Sequence, residues 1–180
     1  MAVRYHNNPN HAFKSAGFGE HAYREWGKKA EDNLCKIFNN DEDLFDLGNP
    51  PVSLEDPRAT GKICWRRATE DQDTMEGYDF AFYIYDSKLE KLVEIKVDLK
   101  IFPRNSELNE ERNITPVGET DINKKGVPIL YLNSYEIERA NMGSRNDKEK
   151  IYEELNHFFT KCLELPLENG LVNTEAYSIH

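Results

Sequence analysis

The sequence predicts one α/β domain, a mixed central β-sheet flanked by α-helices. Three observations carry this. "GEHAYREWGKKAEDNLCKIFNN", residues 19–40, sets Tyr23, Trp26, Ala30, Leu34, Ile37 and Phe38 along a helical stripe. "LVEIKVDLK", 92–100, alternates apolar and charged residues with the period of a strand. "VPILYLN", 127–133, is a continuous apolar run, as found in a central strand buried on both faces.

In chain order, residues 1–17 read as a polar arm, and Asn39 and Asn40 stop the helix that follows. Residues 40–60, with Gly48, Pro50, Pro51 and Pro57, read as loop. "KICWRRAT", 62–69, is a first strand, and the acidic "EDQDTMEG", 70–77, a turn. "GYDFAFYIYDSKLEKLVEIKVDLK", 77–100, makes two strands around a short polar turn. A long polar stretch comes next, with one short helix expected at 106–113; loops of that length are usually functional or mobile. After the strand at 127–133, "DKEKIYEELNHFFTKCLEL" carries Ile151, Leu155, Phe158, Phe159, Cys162 and Leu163 at helical spacing, with Asp147 as its N-cap. Residues 165–180 form a tail.

A chain of 180 residues suits a single domain. The 33 acidic residues against 23 basic ones argue against a general nucleic-acid coating protein, which is usually basic. They leave room for an enzyme with a local basic groove. Cys35, Cys64 and Cys162 are odd in number and show no C-x-x-C spacing, so free thiols in a reducing compartment are expected. No apolar run reaches the roughly 18 residues of a membrane span, and the N-terminus lacks the apolar core of a signal peptide. A cytoplasmic protein with no membrane partner is the expectation, in a cell or in a virus-infected cell.

The charges among the strands pose the functional question. Val93, Ile95, Val97 and Leu99 share one face of their strand, while Glu94, Lys96, Asp98 and Lys100 share the other. Pairing the two strands symmetrically about their turn sets Asp79 opposite Asp98 and Tyr83 opposite Glu94. Asp79 and Glu94 then share a face but sit four residues apart, roughly 13 Å, too far for one metal ion. A register slip or a bulge would shorten that gap. Two carboxylates suit Mg²⁺, which accepts phosphate oxygens as further ligands, and a lysine beside them can steady a water or a developing charge. Against this, D/E-x-K tripeptides occur three times here, at Asp86-Ser87-Lys88, Glu94-Ile95-Lys96 and Asp98-Leu99-Lys100. The tripeptide alone fits a solvated strand face.

"GYDFAF…LVEIKV" resembles the core of the PD-(D/E)xK, restriction-endonuclease-like nucleases, in which an aspartate opens one strand and an apolar-flanked E-x-K lies on the next. "WGKKAEDNL" is similar to the glycine-to-glutamate pattern on the first helix of Holliday-junction resolvases and their relatives. The resemblance implies a restriction-endonuclease-like fold and a Mg²⁺- or Mn²⁺-dependent endonuclease acting on nucleic acid, DNA ahead of RNA. Asp79 and Glu94 would be metal ligands, with the Ile95 backbone carbonyl a third. Lys96 would be the catalytic lysine, and Glu31 an auxiliary ligand. Asp98-Leu99-Lys100 offers a second frame, ranked behind because only Glu94-Ile95-Lys96 has the apolar flanks of an interior strand. Lys28, Lys29, Arg66, Arg67, Lys100 and Arg104 would hold the nucleic acid, and cutting both strands of a duplex would favour a homodimer. The alternatives are a non-catalytic binding or regulatory module that keeps the fold, and an RNA-directed nuclease.

Overall fold

The helical stripe near the N-terminus forms α1 (Glu20–Asn39), which buries Ala30, Leu34, Ile37 and Phe38. The computed structural model describes residues 20–48, 61–88, 90–102 and 122–164. The expected arm at 1–17, helix at 106–113, tail at 165–180 and Arg104 lie outside them. Five strands follow α1 in one sheet: β1 (Phe45–Leu47), β2 (Ile63–Arg67), β3 (Phe80–Asp86), β4 (Lys91–Phe102) and β5 (Ile129–Asn133). Their spatial order is that of the chain, β1-β2-β3-β4-β5. The outer pairs, β1–β2 and β4–β5, are parallel; β2–β3 and β3–β4 are antiparallel. The sheet is therefore mixed, as expected.

Alternation divides the sheet into two unlike faces. Phe80, Phe82, Val93, Ile95, Val97, Leu99 and Ile101 join Trp65, Leu130 and Leu132 in the main core. That core takes α1 together with α3 (Ser134–Asn141) and α4 (Arg145–Glu164). Phe38 sits among Phe45, Trp65 and Phe82 at ring-centroid distances of 4.6, 5.2 and 5.9 Å, and Phe159 of α4 meets Phe82 at 5.0 Å. Burying each such ring contributes about 1.5–3 kcal/mol, which holds the helices to this face. Among the described residues the opposite face carries a small apolar cluster of Tyr78, Ala81 and Val127, surrounded by charge.

Four local readings change. "EDQDTMEG" is a helix, α2 (Glu70–Glu76), rather than a turn. Thr69 and Gln72 form a reciprocal capping box, acidic residues fill the first turn, and Gly77 ends the helix at φ 74°. Within the expected loop at 40–60, Phe45–Leu47 pairs with β2, because Phe45 is anchored in the core. The apolar run at 127–133 supplies β5, which lies at the edge of the five-stranded sheet rather than in its middle. α3 and α4 account for its burial, since Ile137 and Ile151 share the core with Leu130 and Leu132. Asp147 lies inside α4 rather than before it, and accepts from Ser144 and Arg139. Among the described residues no helix is long and apolar enough to cross a membrane.

The β3–β4 hairpin keeps the symmetric register, from Asp86↔Lys91 to Phe80↔Val97. Asp86 Oδ1 accepts from the Lys88 amide and closes the turn, a local role for the first D-x-K tripeptide.

Candidate functional site

β4 is the longest strand because it serves two partners in succession. Lys91 to Val97 pair with β3, and Asp98 to Phe102 pair with β5. The charged face is thereby divided into two polar groups, one inside the β3–β4 ladder and one where that ladder ends.

Inside the ladder, Glu94 lies opposite Tyr83, whose hydroxyl donates to Glu94 Oε1 at 2.8 Å. Arg66 Nε donates to the same hydroxyl at 3.0 Å, its Nη1 donates to Gln72 at 3.1 Å, and its Nη2 lies 3.4 Å from Glu94. Lys96 pairs with Glu76 and stands 4.9 Å from the centroid of the Tyr78 ring. Burial raises the Tyr83 phenol to about 12, with the Glu94 carboxylate adding to the shift and Arg66 opposing it. Burial works against the charge of Lys96, but Glu76 and Glu94 outweigh it and hold its pKa above the usual value. Every charge here meets an opposite one.

The register does not bring Asp79 to Glu94. The pairing has no slip between Phe80 and Asp86, and the Asp79 amide bonds Val97 O, so Asp79 lies about three residues, roughly 10 Å, along the ladder from Glu94. Ile95 lies within the paired stretch, opposite Phe82, and its side chain is in the core. Glu94, Ile95 and Lys96 stay inside the unbroken pairing of Phe80 to Asp86, whereas Asp79 lies just past it, where its amide and Phe80 both face Val97, two residues against one as in a β-bulge.

At the end of the ladder the arrangement differs. The Asp79 amide donates to Val97 O at 2.8 Å, whereas the Asp98 amide has turned to Pro128 O at 2.9 Å. The Asp79 side chain enters the opening and its Oδ2 accepts from the Leu99 amide at 2.6 Å. A carboxylate thus occupies a place where the next backbone carbonyl of a continuing strand would stand. Asp98, the next residue along β4, accepts from Lys100 Nζ on Oδ1 at 2.6 Å and from Asn123 Nδ2 on Oδ2 at 3.0 Å.

Glu31 reaches this end from α1. Its Oε2 lies 2.5 Å from Arg67, which also binds Asp32 at 2.6 Å. Burial raises the pKa of Glu31, and Arg67 opposes that shift. Asp79 is pushed up to about 7, first by burial, and also by the charges of Glu31 and Asp98; the Leu99 amide and Lys100 act in the other direction. The end of the ladder therefore gathers Asp79, Asp98, Glu31 and Lys100, and its negative charge is incompletely matched.

Of the residues expected to hold nucleic acid, Lys28 and Lys29 are exposed on α1, and Lys29 pairs with Glu138 at 3.4 Å. Arg66 and Arg67 point into the two polar groups, and Lys100 binds Asp98. They do not form one basic surface.

Among the described residues, no group of three or more His, Cys, Asp and Glu side chains is arranged to hold a metal ion. The donor chemistry at the end of the ladder still fits a hard divalent cation. Mg²⁺ keeps most of its waters and is commonly bound through one or two carboxylates. Asp79 and Asp98 provide two, and the pKa of Asp79 is raised first by burial and then by the charges of Glu31 and Asp98. The second D-x-K frame carried a sequence signal for this site, since symmetric pairing already set Asp79 opposite Asp98. Comparison of the chain with protein-family models, with curated proteins and with solved structures finds no match in any of the three.

Proposed function

We propose that this protein is a metal-dependent endonuclease, hydrolysing phosphodiester bonds in nucleic acid, with DNA ahead of RNA. Its reactive centre is the end of the β3–β4 ladder, in the frame Asp98-Leu99-Lys100. One observation carries the reading: Asp79 and Asp98 stand together where β4 changes partner, with Lys100 bonded to Asp98. The strand order, three antiparallel strands joined to a parallel one beyond the hairpin, supports a restriction-endonuclease-like fold.

In this reading Asp79 and Asp98 hold Mg²⁺ or Mn²⁺, and Glu31 stands by as an auxiliary carboxylate. The bound ion would supply a water of lowered pKa and offset charge on the phosphate. Asp79 is pre-set for cation binding: its desolvated carboxyl is a poor anion alone and a better one beside a positive charge. Lys100 neutralises Asp98 until a substrate arrives, and its ammonium can then turn to the phosphate oxygens. Glu94, Tyr83 and Arg66 serve as a structural polar network beneath α2.

A plasmid-nicking assay with Mg²⁺ or Mn²⁺, run beside a matched RNA, tests this. Asp79→Asn, Asp98→Asn and Lys100→Ala should each lose about 100-fold or more in rate. Glu94→Gln and Lys96→Ala should remain within about tenfold of the parent. The opposite ranking would return the site to Glu94-Ile95-Lys96. A second reading, a non-catalytic binding module, draws on the pairing of Glu31 with Arg67 and of Asp98 with Lys100. It predicts no nicking by any form of the protein.

A further inference from the structure

We infer that Asn123 is a positioning residue for Asp98, fixing the orientation of that carboxylate without cancelling its charge. The inference rests on the reading of Asp79 and Asp98 as the cation-binding pair.

Asn123 uses its whole side-chain amide. Nδ2 donates to Gly77 O at 2.7 Å and to Asp98 Oδ2 at 3.0 Å. Oδ1 accepts from the amides of Lys125 at 2.9 Å and Val127 at 3.0 Å. An asparagine has two donors and two acceptor sites, so nothing is left over. The partners also dictate which way the amide faces. A reversed amide would set its oxygen against two acceptors and its NH₂ against two donors, losing all four bonds.

Three segments therefore meet at one side chain: the residue that ends α2, the point where β4 leaves β3, and the turn leading into β5. The turn is itself closed by hydrogen bonds. The Asn123 amide donates to Val127 O at 2.8 Å, the Gly126 amide donates to Asn123 O at 3.0 Å, and Ile122 bridges Pro128. Gly77 fits tightly beside it, since a Cβ there would lie 3.3 Å from Asn123 Nδ2.

The consequence falls on Asp98. Each of its oxygens takes one donor, Lys100 on Oδ1 and Asn123 on Oδ2. Lys100 alone would let the carboxylate swing about a single ion pair. The second donor stops that rotation and, being neutral, adds no further positive charge beside Asp98.

The test uses the full chain and Mn²⁺ alone, with free aquo-Mn²⁺ counted by electron paramagnetic resonance. Asn123→Ser keeps a hydroxyl acceptor for the turn amides and removes both amide donors. Ile151→Val, remote in the core of α4, shows what a loss of stability alone does. Asn123→Ser should bind Mn²⁺ about tenfold more weakly or worse, with Ile151→Val unchanged. Folded Asn123→Ser that binds as tightly as the parent would overturn the inference while leaving the site intact. A parent that binds no better than Asp79→Asn would remove the site and the inference together. A second measurement needs no variant: the Asn123 side-chain NH₂ resonances of the parent should shift as Mg²⁺ is added. Resonances unmoved at saturating Mg²⁺ would also overturn it.

Discussion

At the scale of the residue, the fold opposes the charged forms of Asp79 and Glu31, and Asp79 is the one pushed up to about 7. Its pKa stands at about 7, against about 3.9 for an unfolded aspartate. With the folded value raised, its contribution to stability is full below pH about 4 and is lost as pH rises through about 7. Asp79→Asn keeps an acceptor for the Leu99 amide and cannot ionise. In metal-free buffer the variant should therefore gain on the parent across that window, by about 1–3 kcal/mol at pH 8. Urea unfolding at several pH values measures this, and parallel pH curves for the two proteins would contradict it. Mg²⁺ should reduce the difference by binding the folded parent. Symmetric pairing about the turn set Asp79 opposite Asp98; the structure keeps that register as far as Phe80↔Val97 and then bonds the Asp79 amide to Val97 O. The preference for Glu94-Ile95-Lys96 followed from its apolar flanks, which report burial of a strand and carry no information about which neighbour that strand has.

At the scale of the element, α2 is held in an unusual way. None of its side chains is buried, and Met75 is 76% exposed. Its attachments are polar: Gln72 to Arg66, Glu76 to Lys96, and Thr74 O to Lys125. Contacts of this kind are weak when solvated and give little cooperativity with the core. Its amides should exchange with solvent orders of magnitude faster than those of β3 and β4 in native-state hydrogen exchange. Thr69→Ala should cost about 1 kcal/mol and act mostly on that local opening. Exchange of α2 in step with the sheet would refute the picture. The helix was readable, since Thr69 and Gln72 stand at capping-box spacing and Gly77 at its end. It was read as a turn because a helix with no apolar face has no periodicity to find. α3 was missed for a related reason: it is short, with only Ile137 and Ala140 buried.

At the scale of the whole molecule, one face of the sheet carries the main core, and the proposed reactive centre lies at the end of the β3–β4 ladder. Phe38 joins α1 to three strands through Phe45, Trp65, Phe80 and Phe82. Phe38→Ala should cost about 3–5 kcal/mol in urea or thermal unfolding, since it empties the centre of that contact. A loss below about 1 kcal/mol would mean that the helix is held elsewhere.

The division between what could be read and what had to be seen follows from range. Alternation, helical stripes and the symmetric hairpin depend on neighbours a few residues away, so the α/β class, the apolar face and the β3–β4 register could be derived from the chain alone. The change of partner at Asp98, the arrival of Glu31 with Arg67, and the bonds of Asn123 to Gly77 and Asp98 join positions tens of residues apart. No local pattern encodes such meetings. They arise when β4 outruns β3 and β5 takes up its remaining half, and that geometry leaves a carboxylate, rather than a carbonyl, at the end of the ladder.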